Sequence, residues 1–263
     1  MPDRYPDSIQ RLIEGKTGMN DSIGMSDAEI IMYDDCVLKI LPYRSEVDES
    51  VNMMKWLSDR LPTPKVLAYE VKDSIGYLLM SRIDGVMACD EYYLDHPKEM
   101  LSLLAEGLKM LWGTPIDGCP RVRDLSTELK EARYRIANNT VDLTDSEPQT
   151  FGDNGFANPE ELYQWLLNNK PKYEPVLSHG DYCLPNVFFK DGKVSGFIDL
   201  GDCGVGDKWR DIALCYRSLI HNFGGFYGGK VYEDFNPDDL FAALDIPKNE
   251  EKLKYYILLD ELF

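Results

Sequence analysis

The first third of the chain consists of short apolar segments separated by polar residues, a pattern that predicts β-strands. The segments EIIMY and CVLKI flank Asp34-Asp35, which indicates a tight β-hairpin. KVLAYE and IGYLLMS indicate two further strands. A helix between them is predicted by apolar residues at helical spacing: Val47, Val51 and Met54. Pro62 and Pro64 mark the end of that helix, and the pattern predicts a small antiparallel sheet ending near Arg82.

Helical periodicity dominates the rest of the chain. Three stripes of apolar residues recur at intervals of three and four: Leu101, Leu104, Leu108 and Leu111; Leu162, Trp165 and Leu166; and Trp209, Ile212, Ala213, Tyr216 and Ile220. FFKDGKVSGFID predicts another hairpin, because Asp191-Gly192 favours its turn. The final segment, KYYILLDELF, predicts a helix that is buried on nearly all sides.

The change from strand-rich to helix-rich patterning predicts an α+β fold with two lobes. Residues 1–82 would form the smaller N-terminal lobe, and residues 83–263 the larger, mainly helical C-terminal lobe. Residues 140–158 are polar and lack periodicity, so they form either a surface loop or a lid over a substrate.

Composition narrows the class of protein. The chain has 263 residues, and 44% of them are hydrophobic, which argues against disorder. No apolar run approaches the ~20 residues that span a bilayer, and the opening MPDRYPDSIQ lacks the regions of a signal peptide. The six cysteines include no C-x-x-C pair, so we interpret them as reduced thiols. We expect a cytoplasmic protein with no membrane partner.

The net charge of −18 bears on the partner. It argues against nucleic acid, whose phosphates would be repelled. It suits a cationic ligand, but solubility alone also explains an acidic surface. Charge therefore leaves both interpretations open.

The strongest chemical signal lies between Ser178 and Asp202. His179-x-Asp181-x-x-x-x-Asn186 has the spacing of the kinase catalytic loop, and the hairpin that follows ends in Asp199. In phosphoryl transfer, such an aspartate holds the attacking hydroxyl, while the amide and the second carboxylate bind Mg²⁺. The alternative is structural: a carboxylate that caps a turn, an amide that satisfies backbone, and an aspartate at a strand end.

A lysine and a glycine turn in the first third fit the same chemistry. Lys39 in VLKI is either a solvent-facing residue on an edge strand or the strand lysine that pairs with nucleotide phosphates. Gly24-Met25-Ser26 would be the turn that covers those phosphates with backbone N–H groups, although it lacks the G-x-G-x-x-G pattern.

Several longer motifs resemble the aminoglycoside 3'-phosphotransferases. They are HGDYCLPN, VSGFIDLG, GVGDKWRDIALCYRS and the terminal YYILLDELF, together with LPTPKVL and LLMS in the first third. The resemblance covers nearly the whole chain. It implies a protein-kinase-like fold, ATP (with GTP as an alternative) and Mg²⁺ as cofactors, and transfer of the γ-phosphate to a sugar hydroxyl, the 3'-hydroxyl, of a cationic aminoglycoside antibiotic, which would confer resistance.

The resemblance also implies roles for individual residues. Asp181 would be the catalytic base, and Asn186 and Asp199 would bind Mg²⁺. The residues on the nucleotide side would be Lys39, its partner Glu49, the turn residues Met25 and Ser26, the linker residues Met80, Ser81 and Ile83, and Ile198. The antibiotic's ammonium groups would meet Asp260, Glu261, the carboxylate of Phe263, and Glu147 and Asp153 of the 140–158 loop. His179 and Asp211 would order the catalytic loop, and His221 would be a surface residue.

The sequence also departs from the family's pattern. Val37 stands where an aromatic residue usually meets adenine, Ser50 where a glutamate usually pairs with the lysine, and Asp202 where arginine is common. His221 and Asn222 replace acidic residues. Two alternatives therefore stay open: a kinase for another small hydroxylated or amino-sugar substrate, and a non-catalytic protein that binds nucleotide or antibiotic. The protein would be a monomer or a dimer.

Overall fold

The computed structural model describes residues 4–21, 28–144, 146–153 and 155–263. Its N-terminal part is an antiparallel sheet with the strand order β1-β2-β3-β5-β4. The strands are β1 (Met19–Asp21), β2 (Glu29–Met32), β3 (Cys36–Pro42), β4 (Val66–Lys72) and β5 (Ile75–Ser81). The hairpin predicted around Asp34-Asp35 is β2–β3, and KVLAYE and IGYLLMS form β4 and β5. These predictions are confirmed.

The two faces of this sheet pack against different helices. Helix α1 (Asp7–Ile13) buries Ile9 and Ile13 against a cluster that includes Leu38 and Leu79. Helix α2 (Ser45–Leu57), which corresponds to the predicted helix, packs with Leu78 in the main core. Because side chains alternate across a strand, Lys39 shares the face of Leu78, its partner in register, and lies opposite the α1 cluster.

Lys39 is therefore not on an edge. Its strand β3 pairs with β2 on one side and with β5 on the other. The sheet ends at Ser81, next to the predicted lobe boundary at residue 82, and the division into lobes at that position stays a prediction.

The remainder of the chain is mainly helical, as its periodicity predicts. The helices are α3 (Glu91–Asp95), α4 (Pro97–Gly113), α5 (Leu125–Ala137), α6 (Pro159–Asn168), α7 (Lys208–Phe223), α8 (Asp239–Leu244) and α9 (Glu250–Asp260). The strands are β6 (Val86–Met87), β7 (Pro175–Ser178), β8 (Val187–Lys190), β9 (Lys193–Phe197) and β10 (Gly204–Asp207), with short 3-10 helices at Leu184–Asn186 and Leu200–Asp202.

The hairpin β8–β9 forms where Asp191-Gly192 predicts it. Both residues have positive φ, 52° for Asp191 and 69° for Gly192, the conformation that suits a two-residue hairpin turn. The linker after the sheet rests on this hairpin: Ser195 Oγ donates to the carbonyl of Asp84 at 2.6 Å, and Lys190 pairs with the Asp84 carboxylate at 2.9 Å.

The buried terminal helix is confirmed, but it begins and ends earlier than predicted. Helix α9 ends at Asp260, and Leu262 and Phe263 close a tighter turn through N–H bonds to carbonyls three residues earlier. Four of its side chains are buried together: Tyr255, Tyr256, Leu258 and Leu259. No helix in the described part of the chain is long and apolar enough to cross a membrane. All six cysteines are free thiols.

Glu174 joins the starts of α7 and α9 and gives a prediction about acid stability. Hydrogen bonds from Lys208 and Lys252 lower the pKa of Glu174 from 4.5 to about 2. A lowered carboxyl pKa in the folded state stabilises the protein above pH 4.5, and this contribution is lost as the pH falls towards 2. The Glu174 side chain is 36% exposed, so solvent screening limits the contribution to about 1 kcal/mol.

We therefore expect Glu174→Gln to lower the melting temperature at neutral pH, and the difference from the wild type to shrink as the pH falls below the ordinary carboxyl range. Thermal unfolding followed by circular dichroism at a series of pH values measures this difference. Glu251→Gln, on the exposed face of α9, is the control and should show no such trend. A difference that stays constant over the whole series would contradict the assignment.

Candidate active site

The catalytic-loop motif follows β7, which pairs antiparallel with β10. Gly180 adopts φ +84°, and a Cβ atom there would lie 2.4 Å from the carbonyl oxygen of Asp202. The loop therefore requires glycine at this position, both for its backbone angle and for its close approach to the neighbouring segment. This packing brings the loop against the segment that carries Asp199.

Asp211, on the first turn of α7, holds the backbone of the catalytic loop. Its carboxylate accepts hydrogen bonds from Ser178 Oγ at 2.9 Å, from the His179 amide at 3.0 Å and from the Gly180 amide at 2.9 Å. Burial raises the pKa of Asp211, and these three donors oppose the rise. The interpretation of Asp211 as a residue that orders the loop is confirmed.

His179 has the predicted structural role as well. Its ring is fully buried, and Nε2 lies 3.0 Å from the carbonyl oxygen of Ile198, next to Asp199. The ring thus connects the catalytic loop to the end of the β8–β9 hairpin.

A second buried contact reaches the loop from Arg210. Its Nε donates to the Gly180 carbonyl at 2.8 Å, and its guanidinium forms a buried ion pair with Glu128 at 2.7 Å. Burial alone would lower the pKa of Arg210, but the carboxylates of Glu128 and Asp260 raise it. No motif in the sequence indicated this pair, because Glu128 lies on α5, far from the loop in the chain.

Both carboxylate oxygens of Asp181 have a donor. Oδ1 accepts from the thiol of Cys183 at 2.9 Å, and Oδ2 accepts from Nδ2 of Asn186 at 2.8 Å. Burial and the charge of Asp181 raise the pKa of Cys183, so the thiol stays protonated and donates. The contacts fix the orientation of the carboxylate and leave further lone pairs for a substrate hydroxyl. The contact of Cys183 with Asp181 was not predicted, although the position of Cys183 two residues after Asp181 was the available signal.

Asn186 and Asp199 offer oxygen atoms suited to a hard cation. Nδ2 of Asn186 donates to the side chain and to the carbonyl of Asp181, at 2.8 and 2.9 Å, which leaves Oδ1 as its free acceptor. The Asn186 carbonyl accepts from the Ile198 amide at 3.0 Å, so Asp199 follows directly. Asp199 has a left-handed conformation with φ 55° and ψ 59°, and its side chain is 58% exposed.

This donor set fits Mg²⁺. The ion is usually held by one or two protein oxygens together with substrate phosphates, rather than by a cage of protein ligands. The described residues contain no cluster of three or more His, Cys, Asp or Glu side chains that could hold a metal. Asn186 Oδ1 and the Asp199 carboxylate would be the protein's ligands.

Lys39, on strand β3 of the sheet, lies next to Asp199. Its Nζ lies 3.8 Å from Oδ1 of Asp199. The predicted pair between Lys39 and Glu49 does not form in this structure: Glu49 is exposed, and its charge acts on Arg121 instead. Ser50, which stands beside it, donates its hydroxyl to the Glu46 carbonyl at 2.9 Å. The role of Glu49 in nucleotide binding stays a prediction.

The predicted adenine edge lies at the end of β5. Val37 and Met80 are partners in register on neighbouring strands, so they form an apolar surface on the same side of the sheet as Lys39. The side chain of Ser81 accepts from the Lys65 amide at 2.9 Å. Ile83 packs on the backbone of Gly196, where a Cβ atom would lie 2.5 Å from it. The turn residues Met25 and Ser26 lie outside the described residues.

The negative charge of Asp202, which replaces the family's arginine, is compensated locally. Nη2 of Arg123 lies 2.9 Å from the Asp202 carboxylate, and the charge of Asp202 also raises the pKa of the partly buried Arg121, against the lowering by burial. Arg123 and Arg121, which no sequence motif indicated, thus compensate the negative charge of Asp202.

The C-terminal acids are paired with arginine rather than free. Asp260 contacts Arg217 and lies 3.4 Å from Arg210. The Glu261 side chain is 1% exposed, and Oε2 accepts from the Glu147 amide at 2.9 Å. Burial raises the pKa of Glu261. Burial thus commits the Glu261 carboxylate to holding the 140–158 loop, and its predicted contact with an antibiotic ammonium group stays a prediction.

Two further candidates for the acceptor side differ in their surroundings. The carbonyl oxygen of Phe263 accepts from Arg135, whose guanidinium lies 4.9 Å from the centre of the Phe263 ring. Asp153 is exposed and makes no ion pair within the described part of the chain.

Glu147 is held by His221, whose Nε2 lies 2.7 Å from its Oε1. The His221 side chain is 15% exposed, so His221 is partly buried rather than a fully exposed surface residue. The loop that carries Glu147 and the end of α7 are joined at this pair.

Known proteins resemble this chain over its length. Residues 34–243 match the model of the Phosphotransferase enzyme family. The aminoglycoside 3'-phosphotransferase of Enterococcus faecalis is 39% identical over 270 residues, which cover 99% of this chain and 98% of the relative. That of Staphylococcus aureus is 38% identical over 269 residues, with the same coverage of 99% and 98%. That of Campylobacter jejuni is 35% identical over 272 residues, 99% of this chain and 100% of its own.

Solved structures share the fold. An aminoglycoside phosphotransferase from Streptomyces rimosus in complex with ADP and streptomycin has a TM-score of 0.80 at 21% identity and covers 97% of this chain and 96% of its own. An aminoglycoside 3'-phosphotransferase of type VIII has a TM-score of 0.77 at 24% identity, with 98% of each chain covered. The predicted α+β, protein-kinase-like fold is confirmed.

Proposed function

The chain belongs to the aminoglycoside 3'-phosphotransferases, a group within the Phosphotransferase enzyme family, and we propose that it transfers the γ-phosphate of ATP to the 3'-hydroxyl of an aminoglycoside antibiotic. One observation carries the assignment of the active site: Lys39 of the sheet meets Asp199 at 3.8 Å, beside the loop that holds Asp181. A lysine from the sheet and an aspartate after the catalytic loop are the pair that brackets nucleotide phosphates in kinases.

Asp181 would orient the acceptor. Its carboxylate, fixed by Cys183 and Asn186, accepts a hydrogen bond from the 3'-hydroxyl. As the bond from the 3'-oxygen to the γ-phosphorus forms and the bond from the γ-phosphorus to the β,γ-bridging oxygen breaks, the hydroxyl proton passes to the Asp181 carboxylate, and ADP leaves. Positioning and charge supply most of the rate in such a reaction.

The other residues would hold the donor. Lys39 would pair with phosphate oxygens once a nucleotide separates it from Asp199, while Val37 and Met80 form the apolar surface for the base. Mg²⁺, held by Asn186 and Asp199, would neutralise phosphate charge when bound. The exocyclic groups of the base would distinguish ATP from GTP at the Ser81 and Ile83 backbone.

Use of ATP and the free thiols support a cytoplasmic location.

The acceptor is tested by measuring ADP release in a coupled assay with kanamycin, neomycin and simple amino sugars such as glucosamine. We expect turnover with the aminoglycosides and background rates with the simple sugars. The His221–Glu147 pair favours one second candidate, a kinase for a less cationic amino sugar, and turnover with glucosamine alone would support that candidate. Expression in a sensitive bacterium should raise its resistance to the aminoglycosides that give turnover.

Lys39→Ala is expected to raise the KM for ATP about ten- to one-hundredfold, because a charge-assisted contact to phosphate is lost. Steady-state kinetics with ATP varied at saturating aminoglycoside measure the change. Lys72→Ala, on the exposed end of β4, removes the same charge away from the site and should leave the KM unchanged. An unchanged KM for Lys39→Ala would remove Lys39 from the phosphate site.

Calorimetric titration with Mg·ATP tests the alternative of a non-catalytic protein. We expect binding together with turnover. Binding of nucleotide without transfer to any acceptor would favour the non-catalytic alternative.

A further inference from the structure

Two aromatic rings are exposed just beyond the C-terminus of α7. Phe226 is 61% exposed and Tyr227 is 67% exposed. The Phe226 ring stacks on His221, with centroids 4.5 Å apart and planes 16° from parallel, and the Tyr227 ring stands edge-on to Phe226 at 5.4 Å. Adjacent exposed aromatics of this kind, rimmed by polar groups, often mark a binding surface.

The rings are held by a folded turn. The Phe226 amide donates to the His221 carbonyl at 3.0 Å, and Gly225 has φ +71°. A Cβ atom on Gly225 would lie 2.9 Å from the side chain of Val231 and 3.0 Å from the Gly229 carbonyl, so the turn packs against the segment that follows. The exposed position of Phe226 is therefore built into the end of the helix.

The carboxylate of Glu147 adjoins the rings. His221 links them to Glu147 at 2.7 Å, and Glu147 donates its amide to Glu261, next to Asp260. The surface thus combines aromatic rings with the carboxylate of Glu147, a combination that complements an amino sugar.

The same surface is connected to the catalytic loop through α7. Ser218 Oγ accepts from the Leu184 amide of the loop at 3.0 Å, and Asn222 donates to the Ser218 carbonyl at 2.8 Å. His221 lies less than one helical turn beyond Ser218. In addition, the charge of Asp260 acts on Cys183, which contacts Asp181.

We propose that Phe226 and Tyr227 form a wall of the acceptor site that stacks on one ring of the aminoglycoside, while an ammonium group of that ring pairs with Glu147 in competition with His221. The C–H face of a sugar and the adjacent ammonium both interact favourably with the negative face of an aromatic ring. This inference rests on the proposed function and adds the residues that recognise the ring. It also accounts for His221 at a position where the family is acidic: the imidazole supports Phe226 from behind.

The test is the acceptor KM of Phe226→Ala, measured with kanamycin at saturating ATP. We expect a rise of about five- to tenfold in the KM for kanamycin, with the KM for ATP and the melting temperature unchanged, because a stacked ring contact is lost. Phe226→Tyr keeps the ring and should restore the wild-type KM. Tyr134→Ala, at a ring that is 68% exposed on α5, is the matched control and should change neither KM.

The possible outcomes distinguish a failure of the stacking proposal from a failure of the proposed function. If the wild type transfers phosphate to kanamycin and the KM of Phe226→Ala for kanamycin stays within about twofold of the wild-type value, the stacking proposal is wrong and the proposed function stands. If the wild type transfers phosphate to none of the aminoglycosides, the proposed function is wrong, and so is the stacking proposal that rests on it. If Phe226→Ala and Phe226→Tyr raise the KM equally, stacking is excluded as the cause.

Discussion

Replacing Asp181 with asparagine is expected to lower kcat for phosphate transfer by about 10²- to 10⁴-fold, the usual contribution of a positioned acid or base. The amide can no longer accept the hydroxyl proton, and it also changes the hydrogen-bonding pattern with Cys183 and Asn186. Nucleotide binding should stay measurable, because Lys39 and Asp199 are untouched. The measurement is single-turnover transfer to kanamycin, together with a calorimetric titration of ADP.

Asp191→Asn is the matched control. Asp191 lies at the turn of the β8–β9 hairpin with φ 52°, which asparagine tolerates equally well, so the same chemical change should leave kcat unaltered. Asp181→Asn with wild-type kcat would exclude Asp181 as the base. Loss of ADP binding by Asp181→Asn would mean that the substitution disturbs the fold of the catalytic loop rather than removing the base.

The second large effect is expected at Asp211. Asp211→Ala leaves Ser178 Oγ and the His179 amide, two buried donors of the catalytic loop, without an acceptor, and the Gly180 amide keeps only its 3.2 Å bond to Ser178 Oγ. At about 1–3 kcal/mol for each unsatisfied group, the free energy of unfolding should fall by about 2 kcal/mol or more. Because the loop carries Asp181, kcat should fall as well. Urea unfolding and steady-state kinetics measure the two effects.

Asp124→Ala gives the comparison for Asp211→Ala. Asp124 caps α5 by accepting from the Thr127 amide at 2.8 Å, a local contact whose loss costs about 1 kcal/mol. We expect this control to keep the wild-type kcat. If Asp211→Ala were no more destabilising than Asp124→Ala, the account of Asp211 as the residue that holds the loop would be wrong.

The proximity of the candidate catalytic residues could be predicted from the sequence because their geometry is local. Asp181, Asn186 and Asp199 lie within one loop and one hairpin, so their spacing in the chain determines their proximity. Strands β2 to β5 of the N-terminal sheet were predictable for a similar reason, since each is a short apolar segment and the turns have their own residue preferences, whereas the three-residue strand β1 was missed.

The acceptor side could not be predicted in the same way. Arg217 and Asp260 are 43 residues apart, and the contact between Glu147 and Glu261 spans 114 residues. The pairing of an acidic group with an arginine or a histidine decides whether it is available to a ligand, and that pairing depends on tertiary packing. The resemblance to the family suggested that the C-terminal acids contact the antibiotic, but the burial of Glu261 could not be predicted from it.

Some elements were missed because their patterns are weak. Helix α5 carries many charged residues and buries only a few apolar ones, and the seven-residue α1 buries only Ile9 and Ile13. A short or polar helix gives little periodic signal, and tertiary contacts supply most of its stability.

The most direct test of the central claim is the identity of the product. The wild-type protein, incubated with ATP, Mg²⁺ and kanamycin, should yield one ADP for each kanamycin phosphate, and phosphorus-coupled NMR should assign the phosphate to the 3'-oxygen. Asp181→Asn should yield neither product at a comparable rate. ADP formed without phosphorylated kanamycin, or a phosphate on another oxygen, would contradict the account.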